Sequence, residues 1–218
     1  MSLLEQRRQR LAQARFYAII DTGYVTLEQV PWITEQLVYG KVDLIQLRAK
    51  KLSEPAIARL GKEIREIIPP LGPLFILNDH PHLAGEMKAN GIHVGQDDLS
   101  VAEARALAGF EVIVGKSTHS LDQAVAAEKE GADYIGVGPI FATPTKPDYV
   151  PVGPALIGQV RAAVQVPQFC IGGIKEATLP EVVAAGARRM VIVSELLQSN
   201  DLAAYCRRIR EALEKTAL

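Results

Sequence analysis

GADYIGVG (131–138) and GARRMVIV (186–193) read as two copies of one unit, a helix end running into a strand. In each, a glycine stands where a left-handed C-terminal cap is least costly, and a short apolar run follows. Gly40 and Gly91 stand before strands in the same way. Runs of strand length recur at FYAII (16–20), DLIQL (43–47), LFIL (74–77), GIHV (91–94), VIVG (112–115) and FCIG (169–172). The two units themselves carry YIGVG (134–138) and MVIV (190–193). Helical spacing lies between the runs. Ile57, Leu60, Ile64 and Ile67 recur at three and four within 53–68, and Leu121, Ala124, Val125 and Ala127 do so within 119–130. Strands alternating with helices predict a parallel sheet with helical crossovers. Eight nearly equal units predict an α/β fold closed as a (β/α)8 TIM barrel rather than a doubly wound sheet. One domain is expected over 1–218, with an extra polar helix in 1–15 and the barrel in 16–218. The helix is expected at the bottom of the barrel or against a partner.

The composition of the 218 residues excludes several classes. Apolar residues make up 48% and charged residues 22%, which is globular rather than disordered or fibrous. Lys plus Arg is 24 and Asp plus Glu 25, so no strong global field draws nucleic acid or an anionic membrane, and neither partner is expected. No apolar run approaches the roughly 20 residues of a membrane span. The charges of MSLLEQRRQR interrupt any signal-peptide core. Cys170 and Cys206 form no metal or redox spacing and read as reduced thiols of a cytoplasmic protein.

A parallel barrel carries its chemistry at the C-terminal ends of its strands. Polar residues collect there from strand two onward, and the N-terminal ends are read as carrying no comparable series. On strand two, alternation puts Leu44, Gln46 and Arg48 on one face and Ile45 and Leu47 on the other. If the apolar pair faces the helices, Arg48 points into the barrel mouth. An enclosed guanidinium needs an anion, either a carboxylate of the barrel or a ligand. Lys50, two residues on, and Lys146 on another loop favour a phosphorylated ligand. Asp79 and Asp98 end adjacent strands beside Asn78 and Gln96. Two carboxylates from different strands suit Mg²⁺, although either could instead cap the helix that follows.

FCIGGI (169–174) before a helix has the form of a backbone phosphate cradle, strengthened by Ser194 at the next strand end. A tight strand-to-helix turn would need the same glycines. The loop PIFATPTKPDYVPVG (139–153) is long for its place, and Thr143, Thr145 and Lys146 make it a candidate lid. His93 lies in an apolar strand and reads as a core histidine. His119 follows Ser117 and either touches a ligand or starts a helix.

Together QLRAK (46–50), ILND (76–79), GIHVGQDDL (91–99), GKSTHS (115–120), GADYIGVGPIFATPTK (131–146), IGGI (171–174) and VIVSE (191–195) make the chain similar to the thiamine phosphate synthase family over most of its length. The resemblance implies a transferase that joins hydroxymethylpyrimidine diphosphate to a hydroxyethylthiazole phosphate, carboxylated or not. It implies that Gln46, Arg48, Lys50, Asn78, Ser117 and Lys146 hold the pyrimidine diphosphate, with Arg48, Lys50, Ser117 and Lys146 catalytic. Asp79 and Asp98 match the Mg²⁺ ligands, and Thr143, Thr145, Gly173, Val193 and Ser194 match the thiazole phosphate site. A homodimer is a common state of such barrels. Ala49 stands where the family often has Glu, and Lys116 where an apolar residue is usual. Three rival readings are a thiazole tautomerase using His119, a non-catalytic thiazole-phosphate-binding barrel, and a Schiff-base aldolase using Lys116.

Overall fold

The computed structural model describes residues 1–145 and 149–216. Eight parallel strands close into a barrel in chain order: β1 (Phe16–Asp21), β2 (Leu44–Arg48), β3 (Leu74–Asn78), β4 (Gly91–Val94), β5 (Ile113–Thr118), β6 (Tyr134–Val137), β7 (Gln168–Cys170) and β8 (Met190–Ile192). The helices are α1 (Leu3–Gln13), α2 (Val30–Tyr39), α3 (Glu54–Ile67), α4 (Val101–Ala108), α5 (Leu121–Lys129), α6 (Ala155–Ala163), α7 (Leu179–Ala184), α8 (Ser194–Leu197) and α9 (Leu202–Glu214). The units are less equal than the sequence implies. Between β3 and β4 runs only a 3₁₀ turn, Pro81–Leu83, because Pro81 and Gly85 interrupt too short a segment for a full helix. No helix among the described residues is long and apolar enough to cross a membrane.

Period-two alternation splits the strands between two cores. Tyr17, Ile19, Leu44, Ile76, Tyr134 and Phe169 point inward and fill the barrel. Ile45, Leu47, Phe75, Ile92 and Ile135 point outward under the helices. Burying each such side chain fully contributes roughly 1.5–3 kcal/mol. Gly115 makes room for an interior ring: a Cβ there would lie 2.0 Å from Tyr134 Cζ. Of the four glycines read as caps, Gly131 and Gly186 have positive φ. Gly40 is right-handed, and Lys41 takes the left-handed position after it. Gly91 is a strand residue, where a Cβ would meet the Ile113 side chain at 2.3 Å.

Helix α1 closes the N-terminal end of the barrel. A Ser2–Glu5 capping box starts it, and Leu11 and Leu4 join the inner core. Three of its arginines and one of its carbonyls meet the approaches to four strands. Arg7 donates to Glu111 O at 2.6 Å, Arg8 pairs with Asp133 at 2.6 Å, Arg10 donates to Gly72 O, and Ala12 O accepts from Arg189. The bottom-of-barrel alternative is therefore the one adopted.

The N-terminal ends do carry a polar series, contrary to the sequence reading. Asp43, Asn90 and Asp133 stand immediately before β2, β4 and β6. Each accepts the backbone N–H of the preceding strand, from Phe16 at 2.9 Å, Phe75 at 2.8 Å and Val114 at 2.7 Å. These groups satisfy strand starts that the barrel buries. Cys170 and Cys206 are buried free thiols, their pKa values pushed by burial up to about 12.

Candidate active site

The mouth encloses a cavity of about 240 Å³. Every site residue that the family resemblance implies lines it except Lys146, which lies outside the described residues. Gln46 and Arg48 arrive from β2, Asn78 from β3 and Ser117 from β5, all on inward positions. Lys50, Asp79 and Asp98 come from the loops above. Thr143, Thr145, Gly173, Val193 and Ser194 line the opposite side.

Arg48 has a carboxylate partner in the barrel. Its Nη1 lies 2.5 Å from Asp21 Oδ2, and Gly23 N donates to the other Asp21 oxygen at 2.9 Å. Asp21 is a further mouth residue, and its signal in the sequence is its place at the C-terminal end of β1. Lys50 Nζ lies 2.9 Å from Asp79 Oδ2. Asp79 has φ 63, a left-handed conformation that Asp tolerates better than most residues, and its N–H is held by His93 O at 3.0 Å. Burial raises the Asp79 pKa, Lys50 opposes the rise, and the nearby Asp98 carboxylate adds to it. Neither carboxylate caps a helix: Asp98 accepts from Gly95 N at 2.7 Å, and Ser100 caps α4.

Beneath these charges runs a hydrogen-bonded chain across the barrel. Gln46 Nε2 lies 2.5 Å from Tyr17 OH, which lies 3.0 Å from Tyr134 OH. Tyr134 OH is 3.1 Å from His93 Nδ1, and His93 Nε2 is 2.9 Å from Ser117 Oγ. The amide nitrogen of Gln46 only donates, and one order then uses every hydroxyl proton of the chain. Tyr17 donates to Tyr134, Tyr134 to His93 Nδ1, and His93 Nε2–H to Ser117. The hydroxyl hydrogen of Ser117 is then left to donate elsewhere. Burial raises both tyrosine pKa values; the hydrogen bonds with Tyr134 and Gln46 oppose the rise at Tyr17, the charge and hydrogen bond of Tyr17 add to it at Tyr134, and both rings keep the protons that the order needs. His93 is thus a mouth residue rather than one of the outer core. The alternation argued for Arg48 carries the signal, because Ile92 and Val94 take the outward positions.

Lys116 points the other way. It follows the outward Val114, is buried, and its Nζ lies 3.5 Å from Glu130 Oε2 under the helices. It does not line the mouth, which removes the Schiff-base lysine. Both Gly172 and Gly173 have positive φ. A Cβ on Gly173 would stand 2.6 Å from Ala142 O, so the pair is required by close packing of the 139–142 segment whatever it binds. Thr145 Oγ1 meets Tyr24 OH at 2.8 Å, tying the candidate lid to the loop after β1. His119 lies in the mouth with Nδ1 against Gly138 O and its ring 4.9 Å from that of Tyr149.

A parallel barrel with cations and carboxylates gathered at the strand C-termini is the architecture of a small-molecule enzyme. The thiamine monophosphate synthase family matches residues 16–196. The thiamine-phosphate synthase of Shouchella clausii is 41% identical over 204 residues, 93% of this chain and 98% of its own. That of Halalkalibacterium halodurans is 38% identical over 205 residues, 94% and 97% of the two chains. The thiamine phosphate pyrophosphorylase structure from Pyrococcus furiosus superposes with a TM-score of 0.83 at 28% identity, covering 95% of this chain and 98% of that one. The chain belongs to the thiamine monophosphate synthase family.

Proposed function

We propose that the protein is a thiamine-phosphate synthase, a transferase of thiamine biosynthesis that couples hydroxymethylpyrimidine diphosphate to hydroxyethylthiazole phosphate. The C–O bond to diphosphate breaks and its electron pair leaves with the diphosphate. The thiazole nitrogen supplies the lone pair for the new C–N bond, so no protein base is required. What the protein must supply is stabilisation of the departing charge. Arg48, Lys50 and the Ser117 hydroxyl do so from the mouth, and Lys146, proposed from the sequence, joins them from the lid. Gln46 and Asn78 orient the pyrimidine. Thr143, Thr145, Gly173, Val193 and Ser194 receive the thiazole phosphate. The observation that carries this reading is Lys50 held at 2.9 Å from Asp79 beside Arg48, cations already poised where a diphosphate would sit.

Asp79 and Asp98 fit Mg²⁺. They offer oxygen donors only, and burial, with the Asp98 carboxylate adding to it, raises the proton affinity of Asp79. The ion would neutralise diphosphate charge when bound. The proposal also takes 1–218 as one domain, with the helix in 1–15 and the barrel in 16–218, acting as a cytoplasmic homodimer.

The test mixes the purified full chain with Mg²⁺ and both substrates and detects thiamine phosphate by mass. Product that disappears with EDTA supports the reading. No product, or full turnover in metal-free buffer, overturns the synthase or its metal requirement respectively. Supplying a thiazole tautomer without the diphosphate tests the isomerase rival, and sedimentation of the full chain measures the dimer.

A further inference from the structure

Outside the mouth, Glu54, His80 and His82 bring one carboxylate oxygen and two imidazole nitrogens within 4.8 Å of one another. We infer that this cluster is a zinc site on the barrel surface, separate from the Asp79–Asp98 pair. None of its three residues lines the mouth cavity.

The donors are held by short, constrained backbone. His80 and His82 flank Pro81, whose ring fixes φ in the 3₁₀ turn that replaces a helix between β3 and β4. That turn is tied at its start and end, by His80 N to Asn78 O at 2.9 Å and Leu83 N to His80 O at 3.1 Å. The two imidazole rings stand edge to face with centroids 6.0 Å apart. Glu54 opens α3 with Pro55 beside it, and its Oε1 lies 3.0 Å from His82 Nε2. An exposed His–Glu pair accounts for that one contact. It does not account for the second imidazole converging on the same point.

Donor chemistry selects the ion. Two imidazoles and one carboxylate form a borderline set that suits zinc and leaves a fourth position for water. Mg²⁺ favours oxygen donors and is served by the Asp79–Asp98 pair. Hardness therefore separates two neighbouring sites, although Asp79 and His80 are consecutive. Zinc here would clamp the β2–α3 connection, which carries Lys50, to the β3–β4 connection, which carries Asp79.

The test uses the untagged full chain, stripped of metal with a chelator and titrated with zinc chloride in a large excess of Mg²⁺. One equivalent of zinc should bind, and His80→Ala and His82→Ala should each weaken it by about tenfold or more. The chain has four histidines, so long-range ¹H–¹⁵N spectra of the unmutated protein resolve the ligands however the variants fold. Zinc should shift the ring nitrogens of His80 and His82 and leave those of His93 and His119 in place. Absence of zinc binding, equal binding by the His80→Ala/His82→Ala double variant, or shifts confined to His93 and His119 would each overturn the site.

Discussion

The two ends of the barrel use the same residue types for opposite purposes. At the N-terminal floor, Asp133 receives Arg8 at 2.6 Å, Arg105 at 2.7 Å and the Val114 N–H at 2.7 Å. Asp43 likewise receives Arg210 and the N–H groups of Arg15 and Phe16. Three partners each leave these carboxylates little capacity for a ligand. At the mouth, Arg48 has one carboxylate oxygen and Lys50 another, and both guanidinium and ammonium keep further donors. A saturated ion cluster holds a fold together, whereas a half-satisfied one is available to a substrate. The two ends differ in how completely the backbone supplies partners. The floor sits where strand N–H groups emerge, and the mouth sits where loops leave room.

Arg48→Ala is the sharpest way to break this contrast. Removing one aligned donor to a developing anion should lower the rate of thiamine phosphate formation about 10²–10³-fold. It also leaves Asp21, whose side chain is only 5% exposed, without its cation, so stability falls as well. Asp21→Asn in the same chain separates the effects. Thermal unfolding should recover because the stranded charge is gone, and the rate should not. Recovery of both would make Arg48 a structural partner and no more.

At the floor the pattern should invert. Asp133→Ala leaves Arg105, with a side chain only 16% exposed, facing no carboxylate, and should reduce unfolding free energy by about 3 kcal/mol. Arg8 is half exposed and adds little to that loss. At temperatures below unfolding, kcat and KM should match the unaltered chain. A loss of kcat without loss of stability would mean that the two ends are not independent.

Strand number, closure and most of the mouth are legible from two rules, the apolar run and side-chain alternation. Alternation on β2 finds Arg48, and the same step on β4 finds His93, because Ile92 and Val94 claim the outward face. The strand-end rule begun at β1 finds Asp21. Other features have no local signal. Tyr17 and Tyr134 read as ordinary strand aromatics, and only closure of the barrel brings their hydroxyls to 3.0 Å across its interior. Asp43, Asn90 and Asp133 each look like a residue before a strand, and their common role appears only when the neighbouring strand lies alongside. The 3₁₀ turn after β3 has no distinct signal within a pattern of strands alternating with helices.

Tyr134→Phe tests the hydrogen-bonded chain that runs beneath the mouth. The ring stays, so packing against Phe169 at 5.6 Å is kept, and only the hydroxyl between Tyr17 and His93 is lost. Stability should fall by about 1 kcal/mol. The more telling readout is His93: without a donor at Nδ1, its nitrogen spectrum should show the loss of a single tautomer. An unchanged tautomer would mean that another group sets it.

Lys116→Met should have the smallest effect, and it probes the contrast from a position at mouth height. Lys116 precedes Ser117 on β5, so by sequence it is as close to the chemistry as Lys50 or Arg48. Alternation sends its side chain outward, where Glu130 meets it at 3.5 Å. The Glu130 side chain is 42% exposed, so removing the lysine leaves that carboxylate solvated rather than stranded. Met has nearly the same length and fits an apolar shell, and replacing a buried ion with a hydrophobic side chain is often neutral or stabilising. Stability should therefore change by no more than about 1 kcal/mol in either direction, and turnover should be unaltered. A large fall in rate with intact folding would mean that charge outside the barrel wall reaches the mouth, and the division between a structural and a chemical set of cations would fail at β5.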